Sequence, residues 1–385
     1  MKIVHLCLQA PYNDYWGYQD NLLPKYHKKL GHDVTVITTN TMHEGTKVVT
    51  VDTADYTLDD GQRIIRLDYV KFRPRKLSNA YRYFKIYDLL CDIRPDFIMV
   101  HGLGNISVLQ VKKYVRKVNP ECTVIADNHL DYNIGKLKNT FRNNLFVKSY
   151  KLLNKSVQGI YSKVYGVTPW REAYARDVFG IAPEKTDTLI MGADDEKIDF
   201  ANREKIRKSI RAEHKVSDDE FLVVTGGKID LKKKIHYLMQ ACREMPKVKL
   251  LVFGNVADDV RDEFNKLLEE GDNIIYIGWI KADKVYDYFF AADLVFFPGQ
   301  HSVLWEQACA AKAPCVFERW EGMEHVNNGG NSDFVSPVSV ESIKAKIEEL
   351  LFTEKYNQMK AVAESDNTGI YLYSNIAKKS LETVR

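Results

Sequence analysis

Gly226-Gly227-Lys228-Ile229-Asp230-Leu231-Lys232-Lys233-Lys234 follows directly on the apolar run FLVVT. Glycines let a phosphate approach the main chain, and lysines oppose its charge. Cations placed where a phosphate leaving group departs stabilise the charge that develops as the bond breaks. A second loop, Pro298-Gly299-Gln300-His301-Ser302, lies between the run DLVFF and a helical pattern that begins near Val303. Ser302 is a candidate N-cap, and the free N–H groups of a helix start attract anions. Glu306, one turn in, complements the helix dipole and could also accept hydrogen bonds from ribose hydroxyls. His301 could donate to a phosphate or simply satisfy the turn. A lysine-rich surface turn and an ordinary helix start are the plain alternatives for these two segments.

Other nucleotide signatures are weak. There is no G-x-x-x-x-G-K-[ST] phosphate loop. Gly102-Leu103-Gly104 follows a strand pattern, but Ser107 stands where a dinucleotide fingerprint has its third glycine. No D-x-D triplet is present to hold a nucleotide-bound metal, and no metal site is expected. The six cysteines stand singly, at 7, 91, 122, 242, 309 and 315, so neither a zinc knuckle nor a redox dithiol is signalled.

Elements able to position these loops alternate along the chain. KIVHLCLQA reads as a strand, Pro11 to Gly17 as a loop, Tyr18 to Leu30 as a helix stopped by Gly31, and DVTVITT as the next strand. PDFIMVHG, ISVLQVKKYVRKV and CTVIADNH continue the beat. After residue 200 it resumes with FLVVTGG, KIHYLMQACREM, VKLLVFG, DDVRDEFNKLLEEG, NIIYIGWI, KVYDYFFAA, DLVFFPG, SVLWEQACAAK and APCVFE. Such a cadence implies parallel sheets covered by helices on both faces, with ligands beyond the carboxyl ends of the strands. The fold class expected is α/β, two doubly wound domains in series, with a cleft between them as the default site.

Composition agrees with a globular chain: 385 residues, 45% hydrophobic and 28% charged. The start, MKIVHLCLQAPY, is too soon interrupted by polar residues for a signal peptide, and no apolar run is long enough to span a bilayer. A cytoplasmic protein is expected. The net charge of +3 hides two acid-free stretches: Lys71–Lys85 carries six basic residues and Tyr132–Trp170 carries seven. Phe72, Tyr81, Tyr83 and Phe84 interleave with the first, and Phe141, Phe146 and Tyr150 with the second. An anionic membrane surface is the functional partner these suggest, since each basic residue near such a surface contributes ~1 kcal/mol. A solvated helix face is the plain alternative. Nucleic acid is not expected, because no binding motif accompanies the charge.

Taken together, the loops resemble those of the retaining nucleotide-sugar glycosyltransferases of the GT-B fold, family 4. GGKIDLKKKIHYLMQA is similar to that family's segment of a glycine before a basic residue, with a further Lys five positions on. The resemblance implies that Lys228 and Lys233 bind the donor diphosphate, with Gly227 beside them. FPGQHSVLWEQACAAKAPCVF resembles the signature ending in Glu-Ala, small residues and a Pro-led strand. It implies that Glu306 contacts the nucleotide ribose and that amides near Ser302 and Val303 hold phosphate. The family's first glutamate is absent: Pro298 stands in its place, and Gln300 or His301 is its substitute. NIIYIGWI is similar to the strand whose end binds the base, which makes Trp279 and Ile280 candidate base contacts. In the first half, Gly17 takes the position of a glycine lying against the diphosphate. His129 is the candidate catalytic-side histidine, with Asp127 and His101 as its rivals.

The resemblance divides the chain into an N-terminal acceptor-binding Rossmann-like domain at 1–190, a C-terminal donor-binding one at 191–365, and a helix at 366–385 that crosses back to the first. It implies transfer of a sugar, with retention and without a metal or cofactor, from a nucleoside diphosphate sugar, foremost a UDP-sugar, to a hydroxyl acceptor. A glycan or lipid-linked saccharide of cell-surface polysaccharide synthesis is the acceptor expected, reached from the inner face of the membrane. A nucleotide-sugar epimerase of the same fold and a non-catalytic nucleotide-sugar-binding module are the alternatives.

Overall fold

Strands covered on both faces read as unbroken apolar runs, because neither set of alternating side chains meets water. In the computed structural model, which describes residues 1–45, 47–132 and 141–384, the runs singled out above form the centres of two sheets. The first half contributes β1 (Lys2–Cys7), β2 (Asp33–Thr39), β3 (Thr41–Glu44), β4 (Lys47–Thr50), β5 (Ala54–Thr57), β6 (Arg63–Leu67), β7 (Phe97–His101), β8 (Thr123–Asn128), β9 (Tyr161–Gly166) and β10 (Thr186–Thr188). The second contributes β11 (Phe221–Ile229), β12 (Val248–Val256), β13 (Ile274–Tyr276), β14 (Leu294–Phe297), β15 (Cys315–Glu318) and β16 (Ser332–Val335).

The larger sheet runs β10-β9-β8-β7-β1-β2-β6-β5, parallel except for β5 against β6. The smaller runs β13-β12-β11-β14-β15-β16 and is parallel throughout. Each sheet has its own core. Val4, Leu6, Ile98, Val100, Val124 and Tyr114 pack in the first, and Val223, Leu250, Leu238, Phe264, Phe296 and Ile343 in the second. Two α/β units result: Met1–Ile190 with Ile376–Arg385, and Met191–Asn375. The return to the first unit comes at Ile376, so residues 366–375 stay with the second. The tail is a 3-10 turn, Asp366–Tyr371, followed by a helix, Tyr373–Ser380.

Several elements depart from the sequence expectation. The hairpin β3–β4 and the antiparallel edge strand β5 were not anticipated. They are four residues each and mostly exposed or half-buried, so they lack the apolar run that marks a central strand. The strand read in NIIYIGWI stops at Tyr276, and the Gly278 carbonyl then accepts the Gly254 N–H at 2.7 Å. The six cysteines are free thiols. Among the described residues no helix is long and apolar enough to cross a membrane.

At the carboxyl edge of the smaller sheet, β11 and β12 approach closely. Gly254 has φ 126°, and a Cβ there would stand 1.8 Å from the Gly227 carbonyl oxygen. Gly254→Ala therefore combines backbone strain with a steric clash. It is expected to lower the unfolding free energy by about 2–4 kcal/mol in urea titrations; a loss under about 0.5 kcal/mol would contradict this packing.

Candidate functional site

Both anion-type loops leave the carboxyl edge of the second unit's sheet, one after β11 and one after β14. Asp230 shapes the first: its Oδ1 accepts the N–H of Lys232 at 3.1 Å and of Lys233 at 3.2 Å, closing a 3-10 turn. Lys234 follows in the left-handed region (φ 52°) and opens the helix Ile235–Arg243. The Gln300 N–H then donates to the Lys232 carbonyl at 3.0 Å. Gly299 lies so close that a Cβ there would be 2.4 Å from the Lys233 carbonyl. The Lys233 ammonium completes the join by donating to the main-chain carbonyls of Gln300 and His301. Two loops 67 residues apart thus form one surface.

Within that surface the two lysines differ. Lys233 is half-buried, and that burial pushes its ammonium down to about 8, against the opposing effect of Asp230. Two of its three protons are committed to carbonyls, leaving one for a ligand. Lys228 is 70% exposed and reaches Asp230 Oδ2 at 3.1 Å. Ser302 does not cap by its side chain: Val303 occupies the N-cap position of the helix Leu304–Ala310 without a side-chain cap bond, and the Ser302 carbonyl accepts the Trp305 N–H. The N–H groups of Ser302 and Val303 meet no acceptor among the described residues.

Glu306 is fully buried. An ionised carboxylate only accepts, so the Nε2–H groups of His301 and His325 both donate to its Oε1, each at 2.8 Å. Burial alone would raise its pKa, but the two imidazoles overcome this and hold it at about 2. The other oxygen, Oε2, is buried and has no partner. His325 carried no sequence signal, since it lies 19 residues away on a separate turn.

Trp279 and Ile280 stand past the end of β13. Trp279 is 64% exposed, and Ile280 lines a cavity of about 400 Å³ with Ser209, Glu213, Lys284 and Tyr288. That cavity includes none of Gly227, Lys228, Lys233 or Pro298–Glu306.

In the first unit, His101 ends β7 and Asp127 lies near the end of β8. His101 Nδ1 donates to Asp127 Oδ2 at 2.8 Å, and the Gly102 N–H donates to Asp127 Oδ1 at 2.8 Å. His129 Nε2 is 3.4 Å from Asp127 Oδ2, and Asp20 Oδ1 is 3.4 Å from His101 Nδ1. Burial would raise the Asp127 pKa, yet His101 and His129 hold it far below the carboxylate range. Burial would lower His101 and His129, yet Asp127 raises both. The three residues weighed as rivals in the sequence thus form one cluster. Asp20, His101, Asp127 and His129 hold donor atoms within 4.8 Å of one another, as do His301, Glu306 and His325. The shortest separations in both groups are 2.8 Å, the length of a charge-assisted hydrogen bond with its proton in place.

Gly17 is exposed, and a Cβ there would meet nothing within 4 Å. Gly102 and Gly104 offer no phosphate cradle: the first amide is taken by Asp127, and Gly104 lies against the Gln9 side chain. Of the aromatics in the basic stretches, Phe84 and Tyr150 belong to the core, and Tyr81 leans on Tyr150 with ring centroids 5.9 Å apart. The outward apolar residues are instead Leu145 and Leu152, 58% and 69% exposed on the helix Phe141–Val157. Residues 133–140 and the side chains of Phe141 and Phe146 lie outside the described residues.

Glu306→Gln removes a charge from two buried donors and is expected to cost about 1–3 kcal/mol of stability at pH 7. A carboxylate held below its unfolded pKa stabilises the fold above about pH 4.5, and that contribution is lost as pH falls towards 2. Wild type should therefore lose stability over that window more steeply than Glu306→Gln, as read by urea midpoints; parallel curves would contradict the buried ionised state.

Residues 206–366 match the family model described as glycosyl transferases group 1. An uncharacterized glycosyltransferase of Methanocaldococcus jannaschii, MJ1607, is 24% identical over 222 residues, which cover 54% of this chain and 56% of that protein. Among solved structures, Anabaena Alr3699/HepE in complex with UDP superposes with a TM-score of 0.68 at 16% identity, covering 100% of this chain and 99% of its own. WaaG, a glycosyltransferase involved in lipopolysaccharide biosynthesis, does so at 0.63 and 15%, covering 100% and 99%. At such identities the structural matches establish the GT-B fold, two Rossmann-like α/β units in one chain. Over residues 206–366 the chain is thus similar to the glycosyl transferases of group 1, and over its whole length to structures of the GT-B fold.

Proposed function

We propose that this protein transfers a sugar, with retention, from a nucleoside diphosphate sugar to a hydroxyl acceptor. The observation that carries the reading is the seam between the two loops of the second unit, where a half-buried ammonium, main-chain N–H groups and an exposed lysine share one edge. The remaining Lys233 proton and Lys228 face the donor diphosphate, with the amides of Ser302 and Val303 beside them. They stabilise the charge that grows on the leaving diphosphate as the glycosidic bond breaks. Lysines and amides supply this charge in the role a metal plays elsewhere. Glu306 Oε2, buried and without a partner, accepts from the ribose hydroxyls. His301 is set beside it, and Trp279 offers an exposed face to the base. A UDP-sugar is the leading donor, in keeping with the UDP and UDP-glucose complexes of Alr3699/HepE.

The first unit binds the acceptor, with His129, 3.4 Å from Asp127 Oδ2, as its catalytic-side histidine. A lipid-linked saccharide of surface-polysaccharide synthesis is the acceptor class. Leu145, Lys148, Leu152 and Lys155 are exposed at spacings of three and four on one helix, a basic and apolar face suited to an anionic leaflet.

Lys233→Ala should keep the fold and lower transfer by about 10²–10³-fold; full activity in that variant would overturn the assignment. Turnover of UDP-, GDP- and dTDP-sugars with and without acceptor separates transfer from epimerisation, which needs no acceptor. Wild-type donor affinity should weaken as pH rises through about 8, because the Lys233 charge is then lost. A flat profile to pH 9 in isothermal titration with UDP counts against that role. Leu152→Glu should reduce co-sedimentation with anionic vesicles at low salt, and equal binding would remove the membrane contact.

A further inference from the structure

Three imidazoles stand in line inside the first unit, on elements far apart in sequence. His27, on the helix Gln19–Lys29, places Nδ1 3.0 Å from His5 Nε2. His5, in β1, places Nδ1 3.0 Å from His101 Nε2. His101 places Nδ1 2.8 Å from Asp127 Oδ2. At the far end His27 Nε2 is 2.8 Å from Ser380 Oγ and 3.3 Å from the Ala377 carbonyl, on the returning C-terminal helix. The Ser380 hydroxyl itself donates to that carbonyl at 2.7 Å. All three rings are buried.

Counting protons along the line leaves two arrangements. A neutral imidazole has one donor and one acceptor nitrogen, and a carboxylate only accepts. If Ser380 gives its single proton to His27 Nε2, every ring is neutral and donates from Nδ1; if it gives it to Ala377, His27 Nε2, facing two oxygens, donates. His27 Nδ1 then accepts from His5 Nε2–H, and His5 Nδ1 accepts from His101 Nε2–H. His101 also donates from Nδ1 to Asp127, so it carries both protons, and the two carboxylates beside it, Asp127 at 2.8 Å and Asp20 at 3.4 Å, favour this arrangement.

We propose that the His27–His5–His101 line is a proton relay that holds His101 as an imidazolium on Asp127 and so makes His5, His27 and His101 positioning residues for His129. Anchored by His101 and the Gly102 amide, the Asp127 carboxylate presents a fixed oxygen to His129, 3.4 Å away. The groups facing the line fit this pattern. Asp20 on the neighbouring helix and Asp127 on β8 flank His101 with negative charge. His129 shares Asp127, His32 faces His27, the Phe97 ring lies edge-on to His27, and the Cys7 thiol of β1 lies near both carboxylates, pushed up by burial first. Burial depresses His5 and His27 and keeps them neutral, whereas the two carboxylates raise His101 in spite of burial.

Only the role given to His129 rests on the proposed transfer; the proton pattern stands apart from it. The test is long-range ¹H–¹⁵N correlation of the full chain labelled at histidine, with signals assigned by single His→Gln variants. At pH 7 His101 should show two protonated nitrogens, and His5 and His27 should both be Nε2–H tautomers. A neutral His101, or an Nδ1–H tautomer at His5 or His27, overturns the relay whether or not sugar transfer is found. His5→Phe removes the acceptor of His101 Nε2–H and should lower the pH at which His101 loses its second proton by at least a unit, a tenfold change, while UDP affinity stays as in wild type. An unshifted His101 also overturns it. Should His5→Phe fail to fold, the wild-type spectrum alone decides.

Discussion

Main chain lies against main chain where the turn Leu231–Lys233 meets Gly299, and the candidate donor site depends on that contact. No side chain fits there, since even a Cβ would press on the Lys233 carbonyl. The Lys233 ammonium then ties down the carbonyls of Gln300 and His301. The loop after β14 is thereby fixed relative to the loop after β11, and with it the first turn that carries Glu306. A lysine in this setting is structural and electrostatic at once: it satisfies buried carbonyls, and its remaining proton and charge stay at the surface the ligand would meet.

Each unit solves the same problem of a buried carboxylate in the same way. Glu306 takes two imidazole N–H groups on one oxygen, and Asp127 takes one from His101 while a second ring, His129, stands close by. An unpaired buried carboxylate would take up a proton, because the desolvation cost falls on the charged form. Imidazoles supply both the hydrogen bond and the opposing charge, and both carboxylates are kept below their ordinary range. What differs is the unused capacity. Glu306 keeps one buried oxygen without a partner, whereas both Asp127 oxygens are engaged.

Much of the framework was legible in the residues. Central parallel strands such as β7, β8 and β11 are buried on both faces and must be apolar throughout, so FIMVH, TVIADN and FLVVT announce themselves. The hairpin β3–β4 and the edge strand β5 do not, since an exposed four-residue strand bears no such constraint. The Ser302 cap was a fair reading of residue type, but the chain places Val303 at that position and uses the Ser302 carbonyl. The charge of the basic stretches does not tell which way their aromatics face. Phe84 and Tyr150 turn inward, and helix geometry leaves Leu145 and Leu152 outside.

Local pattern, then, was enough for what depends on near neighbours in the chain: the α/β alternation, the lysine and glycine loop, and the helix that presents Glu306. These rest on periodicities of two and 3.6 residues and on turn chemistry, which act over short stretches. Tertiary structure alone decided the partners. His5, His27 and His101 come together only because β1 lies between β7 and β2 with the helix Gln19–Lys29 packed alongside. His325 reaches Glu306 from a separate turn, and the tail supplies Ala377 and Ser380 from the far end of the chain. A hydrogen bond needs about 3 Å between heavy atoms whatever the separation in sequence, and only the folded chain sets that distance.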